Sequence, residues 1–376
     1  MQFSFTDEQT QFRTALQRFL RDKSPTSEVR RLMASENGFE RAVWQQMCEE
    51  LGLAGIQIPQ IYGGMGFGMI ELGIVLEEMG RVLFCGPYFA SSVLATNVIM
   101  AAGSEASKLE LLPAIAAGQM IATLALTEPN GRWDNRGIEL TATPTATGFV
   151  LDGHKKFVLD GHTADVIIVA ARAPGTSSDD GLSLFVVKGD CAGLTRRRLE
   201  TLDQTRKQAE LIFSGVAAEL LGRAGEGAIV LAHTRDLAAI ALASEMVGGA
   251  QALLDSAVDY AQIRMQFGRL IGSFQAIKHK CADMLLDVEL ARSAAYYAAA
   301  ALADDDPEVS ALASLSKALA ADAFMSAAAE CIQVHGGIGF TWDQDTHLWF
   351  KRAKTTEVMF GDPNYHRERY MQCLEA

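Results

Sequence analysis

The stretch Arg264-Met-Gln-Phe-Gly-Arg-Leu-Ile-Gly-Ser-Phe-Gln275 joins two long Ala-rich segments of helical character. It gathers two arginines, two phenylalanines and two glycines into one connection, more than linkage alone requires. A guanidinium is a fixed-charge fork suited to phosphate oxygens, and glycine lets backbone come close to a ligand. The pattern points either to a phosphorylated cofactor lying over the turn or to an ordinary helix hairpin with an Arg-capped end.

Working outward, helical periodicity resumes from Gly227 and is broken at 264–272, at Asp304-Asp-Asp-Pro307, at His335-Gly-Gly-Ile-Gly-Phe-Thr341 and at the Gly361–Pro363 turn. Glycines of this kind can turn backbone amides toward a phosphate or a flat ring. Between 119 and 226 the character changes to short β-rich runs at 121–126, 148–151, 166–171, 182–187 and 210–213, separated by Gly, Pro, Asp and Ser turns. Before 119 the chain is again helical. Thr6 or Asp7 caps a first helix that Pro25 closes, a second runs from about 39 to Gly52, and the spacing predicts two more over 70–81 and 91–102. The glycine run within 58–68 lacks the strand and crossover of a dinucleotide fingerprint and reads as a loop. Arg196, Arg197 and Arg198 read as a solvated strand face. The domains expected are therefore 1–118 helical, 119–226 β and 227–376 helical.

At 376 residues, with 49% apolar and 21% charged residues, the chain is in the range of a soluble enzyme of two or three domains. Its net charge of −13 argues against a nucleic-acid partner, which needs a basic face. Six cysteines lie scattered, with no spacing that suggests zinc or a redox dithiol. The N-terminus lacks a signal-peptide pattern and no apolar stretch approaches the length of a membrane span, so a cytoplasmic location and no membrane partner are expected.

Taken together, the α, β, α order and two motifs resemble the acyl-CoA dehydrogenase family of flavoproteins. The motifs are Arg264 with Phe267-Gly268 and Phe274-Gln275, then Gln333 with Gly336-Gly337 and Gly339-Phe340. The resemblance implies an α+β fold in three parts: an N-terminal helical domain, a central β-barrel or sandwich and a C-terminal helical bundle. It implies FAD as cofactor, with Arg264, Phe267 and Gln275 on the pyrophosphate and adenosine side. Gln333, Gly336 and Gly337 would reach the FAD of a neighbouring subunit, and Leu126, Thr127 and Phe157 would lie at the flavin ring. Also implied are an acyl-CoA substrate, an acceptor like electron-transfer flavoprotein, and a homo- or heterotetramer built as a dimer of dimers.

The departures from the family pattern concern chemistry. The family's Gly-Ser-Asp after Glu-Pro is here Gly131-Arg132-Trp133-Asp134, and Leu159 stands where a hydroxyl residue is usual. Many members carry a catalytic Glu before a Gly near the C-terminus, where this chain has Phe360-Gly361. Another branch places its base at a position aligned with Ala238. The reaction needs a carboxylate to take a proton from the carbon next to the thioester carbonyl. Glu245, two helical turns beyond Ala238 on a face continued by Ala241, Leu242, Gly248 and Gly249, is the first candidate, its alternative being an ion pair with an arginine of another helix or subunit. The small residues of that face suggest room for a ligand. Asp362 is the second candidate, against a plain role in an Asp-Pro turn. Segments 131–134, 158–161, 202–206 and 360–362 resemble a bacterial subgroup that acts on sterol-like or other bulky acyl-CoA thioesters, some of whose members form mixed tetramers with one catalytic subunit type. A non-catalytic structural subunit of such an assembly is the alternative function.

Overall fold

A computed structural model describes residues 5–146 and 148–375. Helix α1 (Asp7–Lys23) opens on a capping box, in which the Thr6 side chain accepts from Gln9 N and the Gln9 side chain accepts from Thr6 N. Its apolar stripe buries Leu16 and Leu20. Pro25 ends α1 and starts a further helix, α2 (Thr26–Ala34), that periodicity did not separate because it is only nine residues long. Helix α3 (Arg41–Leu51) stops at Gly52, whose left-handed φ of +63° turns its N–H back to Cys48 O. Helix α4 (Met69–Arg81) is buried almost throughout. A π-helical segment, Phe89–Ala95, runs into α5 (Thr96–Ala102), and α6 (Glu105–Ala116) follows.

The β region has seven strands: β1 (Ala122–Ala125), β2 (Thr141–Thr145), β3 (Gly148–Leu159), β4 (Val166–Arg172), β5 (Leu182–Lys188), β6 (Leu194–Arg198) and β7 (Gln208–Leu221). Antiparallel pairing links β2 to β3, β3 to β7, β7 to β5 and β5 to β4, and the single pair Thr141–Arg172 returns β4 to β2, closing a barrel. β1 adds in parallel beside β4 and β6 lies against β7. Inward residues such as Leu151, Ile167, Val169, Phe185, Leu211 and Val216 fill the interior, as closure of a small barrel requires. β2 and β6 carry few buried apolar residues, which is why the sequence did not mark them as strands. The three consecutive arginines lie on β6 but alternate across it: Arg197 is exposed and pairs with Glu210, whereas Arg196 and Arg198 are half-buried, so the expectation of a solvated strand face holds for Arg197 alone.

After the barrel come α7 (Gly227–Ile263), a hairpin of β8 (Met265–Gln266) and β9 (Arg269–Leu270), then α8 (Gln275–Ala303), α9 (Val309–His335), α10 (Thr346–Val358) and α11 (Pro363–Glu375). The expectation that no apolar stretch reaches membrane-spanning length is corrected by α7. An 18-residue window of it is long and apolar enough by composition, but 89% of that window is buried in the protein, so α7 is a core helix.

The chain forms two compact units. One comprises the stretch up to Arg31, Met69–Phe84 and everything from Asp236, and the other Leu32–Gly68 with Cys85–Arg235. In the first unit α4 and α7 cross at very close range. A Cβ on Gly248 would lie 1.8 Å from Glu77 O, and one on Gly80 would lie 2.0 Å from Glu245 O. Gly249 is closed off in the same way by the Phe324 ring. The small residues around Glu245 therefore serve helix approach, which corrects the expectation that they leave room for a ligand.

Candidate flavin and substrate site

In the barrel unit, Leu126 and Thr127 follow β1 and are both buried. They meet β3 at a bulge. Lys155 faces Leu211 and Val158 faces Ala209, so Lys156 and Phe157 together oppose the single residue Glu210. Phe157 takes a left-handed φ of +61° and is 40% exposed. Lys156 N donates to Thr127 O at 2.8 Å. Lys155, fully buried, donates through Nζ to Leu126 O at 3.1 Å and to Glu128 Oε1 at 2.7 Å. The same carboxylate oxygen accepts from Glu139 N and Leu140 N. The sequence-predicted Leu126, Thr127 and Phe157 are thus brought together by a lysine and a glutamate that sequence reasoning missed. The signal was there: strand alternation puts Lys155 on the inward face of Leu151. Burial pulls the Lys155 ammonium down to about 8, opposed by Glu128.

In the other unit, Arg264 N donates to Tyr260 O and Ile271 N to Arg264 O, so the turn grows directly out of α7. Phe267 and Gly268 both have positive φ (+53° and +74°), as a two-residue hairpin of the primed type demands. Phe267 is 91% exposed. Phe274, edge-on to Phe267 and beneath the Arg269 guanidinium at 4.0 Å, precedes Gln275, the exposed first residue of α8. Arg264 is exposed and has no ion pair among the described residues. The second motif lies close by, because Tyr260 of α7 stacks on His335 at the end of α9 at 4.2 Å. Gln333, Gly336 and Gly337 are exposed, and among the described residues nothing lies within 4 Å of a Cβ added to either glycine. A cavity of about 710 Å³ in this unit is lined by Glu78, Asp255, Tyr260, His335 and Trp349 among others, and none of the sequence-predicted site residues lines it.

The residues present fit FAD. The Thr127 N–H and hydroxyl make no hydrogen bond among the described residues although the residue is buried, so a donor and a hydroxyl stand ready beside an exposed aromatic ring. Arg264 supplies an unpaired fork for phosphate oxygens.

The carboxylate candidates are engaged elsewhere. Glu245 is 4% exposed, and its Oε1 accepts from Arg352 Nη1 of α10 at 2.7 Å, Arg352 being equally buried. Asp362 is exposed, and its Oδ1 accepts from Tyr365 N, capping α11 directly before Pro363. Ala238 is wholly buried, and Phe360 sits at φ +58° with 6% exposure. The Phe360 turn is held from several sides. Lys317 of α9 donates through Nζ to Glu357 O and Gly361 O at 3.1 Å each, and His366 donates through Nε2 to Phe360 O.

Three family models cover this chain: acyl-CoA dehydrogenase N-terminal domain over residues 6–119, middle domain over 123–216 and C-terminal domain over 225–374. The chain belongs to the acyl-CoA dehydrogenase family. An acyl-CoA dehydrogenase of Bacillus subtilis is 31% identical over 372 residues, 96% of each chain. Among solved structures, butyryl-CoA dehydrogenase from Megasphaera elsdenii superposes with a TM-score of 0.92 at 27% identity over the whole of both chains. A variant of a steroid acyl-CoA dehydrogenase superposes with a TM-score of 0.88 at 28% identity over 98% of each. The chain is accordingly an FAD-dependent oxidoreductase with the acyl-CoA dehydrogenase fold.

Proposed function

We propose that this acyl-CoA dehydrogenase desaturates the α,β bond of a bulky, sterol-like acyl-CoA thioester and hands its electrons to an electron-transfer flavoprotein. The observation that carries the flavin half is the Thr127 N–H and hydroxyl, without hydrogen-bond partners among the described residues, beside Phe157 on the bulge. FAD, when bound, supplies the acceptor for the β hydrogen as hydride. Leu126, Thr127 and Phe157 hold the ring, and Arg264, Phe267 and Gln275 hold the pyrophosphate and adenosine. Gln333, Gly336 and Gly337 serve a neighbouring subunit's cofactor within a tetramer. The acyl class is supported by segments 131–134, 158–161, 202–206 and 360–362 and by the likeness to the steroid acyl-CoA dehydrogenase.

Glu245 is the first candidate for the base that takes the α proton, and Asp362 the second. The engagement of both carboxylates, by Arg352 and by the start of α11, favours a second reading. In it the chain is a non-catalytic structural subunit of a heteromeric dehydrogenase whose homologous partner brings the base.

One experiment separates the two. Glu245→Gln is prepared with FAD bound and titrated anaerobically with a bulky acyl-CoA. Loss of flavin bleaching in a variant that still melts cooperatively supports Glu245 as base. Bleaching at the wild-type rate removes it from that role. Wild-type protein that bleaches only with a homologous partner present supports the heteromer.

A further inference from the structure

Lys155 is a costly residue to place in the barrel interior. Its ammonium is completely buried, in a place where an apolar side chain would complete the core without desolvating a charge. What it does there is fixed by two contacts, to the carbonyl oxygen of Leu126 and to the carboxylate of Glu128. A trans peptide is planar, with its C=O and N–H pointing in opposite directions. Drawing Leu126 O toward Lys155 therefore turns the Thr127 N–H away from the barrel interior. The bond from Lys156 N to Thr127 O fixes the next peptide in the same way. Glu128, held by Lys155 and by the amides of Glu139 and Leu140, anchors the far end of the turn. Two consecutive peptides are locked, and among the described residues the donors left over are the N–H groups of Thr127 and Glu128, the former next to its own hydroxyl.

From this geometry we infer that Lys155 is a positioning residue for the flavin: it aims the Thr127 N–H and hydroxyl at acceptor atoms of the isoalloxazine ring. The inference rests on the flavin reading above and deepens it. Lys155 does not touch the ring in this account. It acts through Leu126 and Thr127, with Glu128 as the anion that lets a cation stay in the core.

The test uses the full chain. Lys155→Met alone leaves Glu128 buried without its counter-ion, so it is paired with the double variant Lys155→Met/Glu128→Gln, which removes both charges. Each is stripped of flavin and retitrated with FAD by fluorescence quenching, the bound spectrum is recorded, and the melting temperature of the apo-protein is measured beside it. The expected result is a double variant whose apo-protein melts near wild type, binds FAD at least about tenfold more weakly and shows shifted flavin absorption bands. Arg264→Ala, by contrast, weakens FAD without shifting the bands. A folded double variant with wild-type affinity and spectrum overturns the inference. If neither variant melts cooperatively, hydrogen exchange in wild-type protein decides. The segment 122–130 gains protection on adding FAD if Thr127 N–H is engaged, and no gain overturns the inference. Wild-type protein that fails to bind FAD would instead sink the flavin reading itself.

Discussion

Lys317 ties stability to pH in a way that can be measured. It is wholly buried on α9 and its Nζ meets two backbone carbonyls, Glu357 O and Gly361 O. Burial pulls the ammonium from 10.5 down to about 7, against the attraction of Glu357, Asp362 and Asp322. A neutral amine still has two N–H donors, one for each carbonyl, so deprotonation costs no hydrogen bond. Between pH 7 and 10.5 the unfolded lysine holds a proton that the folded one has released, and stability therefore rises with pH through that window. Below pH 7 both states are protonated and the dependence from this group is flat. At about 1.36 kcal/mol per pKa unit, the gain from pH 7 to 9.5 is about 3 kcal/mol. His366, driven down to about 3 by burial and by Lys317, stays neutral throughout. The perturbation is Lys317→Met, and the assay is urea unfolding of wild type and variant at intervals from pH 6.5 to 9.5. Other groups that titrate in this range, Lys155 among them, cancel in the difference. The variant should lose ground against wild type by about 3 kcal/mol as the pH rises from 7 to 9.5. Parallel curves would refute the reasoning, because they would mean that Lys317 keeps its proton in the fold.

Three further outcomes follow from the same unit. Arg352→Met strands Glu245 in the core and should cost about 3–5 kcal/mol, most of it recovered in Arg352→Met/Glu245→Gln, which a double-mutant cycle of unfolding free energies measures. Gly248→Ala forces a methyl to within 1.8 Å of Glu77 O and should destabilise by about 3 kcal/mol or abolish folding, visible as loss of the cooperative melt. Asp362→Ala removes the cap of α11 and should lower stability by about 1 kcal/mol while flavin bleaching by acyl-CoA persists; loss of bleaching with unchanged stability would instead make Asp362 the base.

Much of the architecture could be read from local signals. The helix start at Thr6 or Asp7, the Gly52 stop and the Phe267-Gly268 turn are chemistry of adjacent residues, and periodicity carried the long helices. β2 and β6 escaped because their barrel places expose most of their side chains, so neither apolar alternation nor a run was present. The 264–275 turn was legible for the same local reason, since a turn that exposes an arginine and a Phe-Gly pair carries unusual residues. Glu245 shows the limit. Its place on a helical face of small residues was legible, but whether such a buried carboxylate faces substrate or an arginine depends on residue 352, 107 positions away. The same holds for Lys155, whose inward face was predictable while its hold on Leu126 O was not.

The way the chain threads its two units sets a timetable for biosynthesis. Glu77, from the middle stretch of the first unit, receives hydrogen bonds from Arg13 in the opening stretch and from Tyr296 in the last, and Arg292 lies 3.4 Å from it. The unit is left at Arg31 and its largest stretch begins at Asp236, 205 residues later (236 − 31). At roughly 5–20 residues per second, ribosomes need about 10–40 s to make that span. Throughout it the apolar side of α1 has no complete core to join, while the barrel unit, contained within residues 32–235, can close first. A chain terminated at residue 235 and released from the ribosome should therefore show a protease-resistant barrel and a protease-sensitive segment 7–23, reversing the usual order in which the beginning of a protein folds before its end.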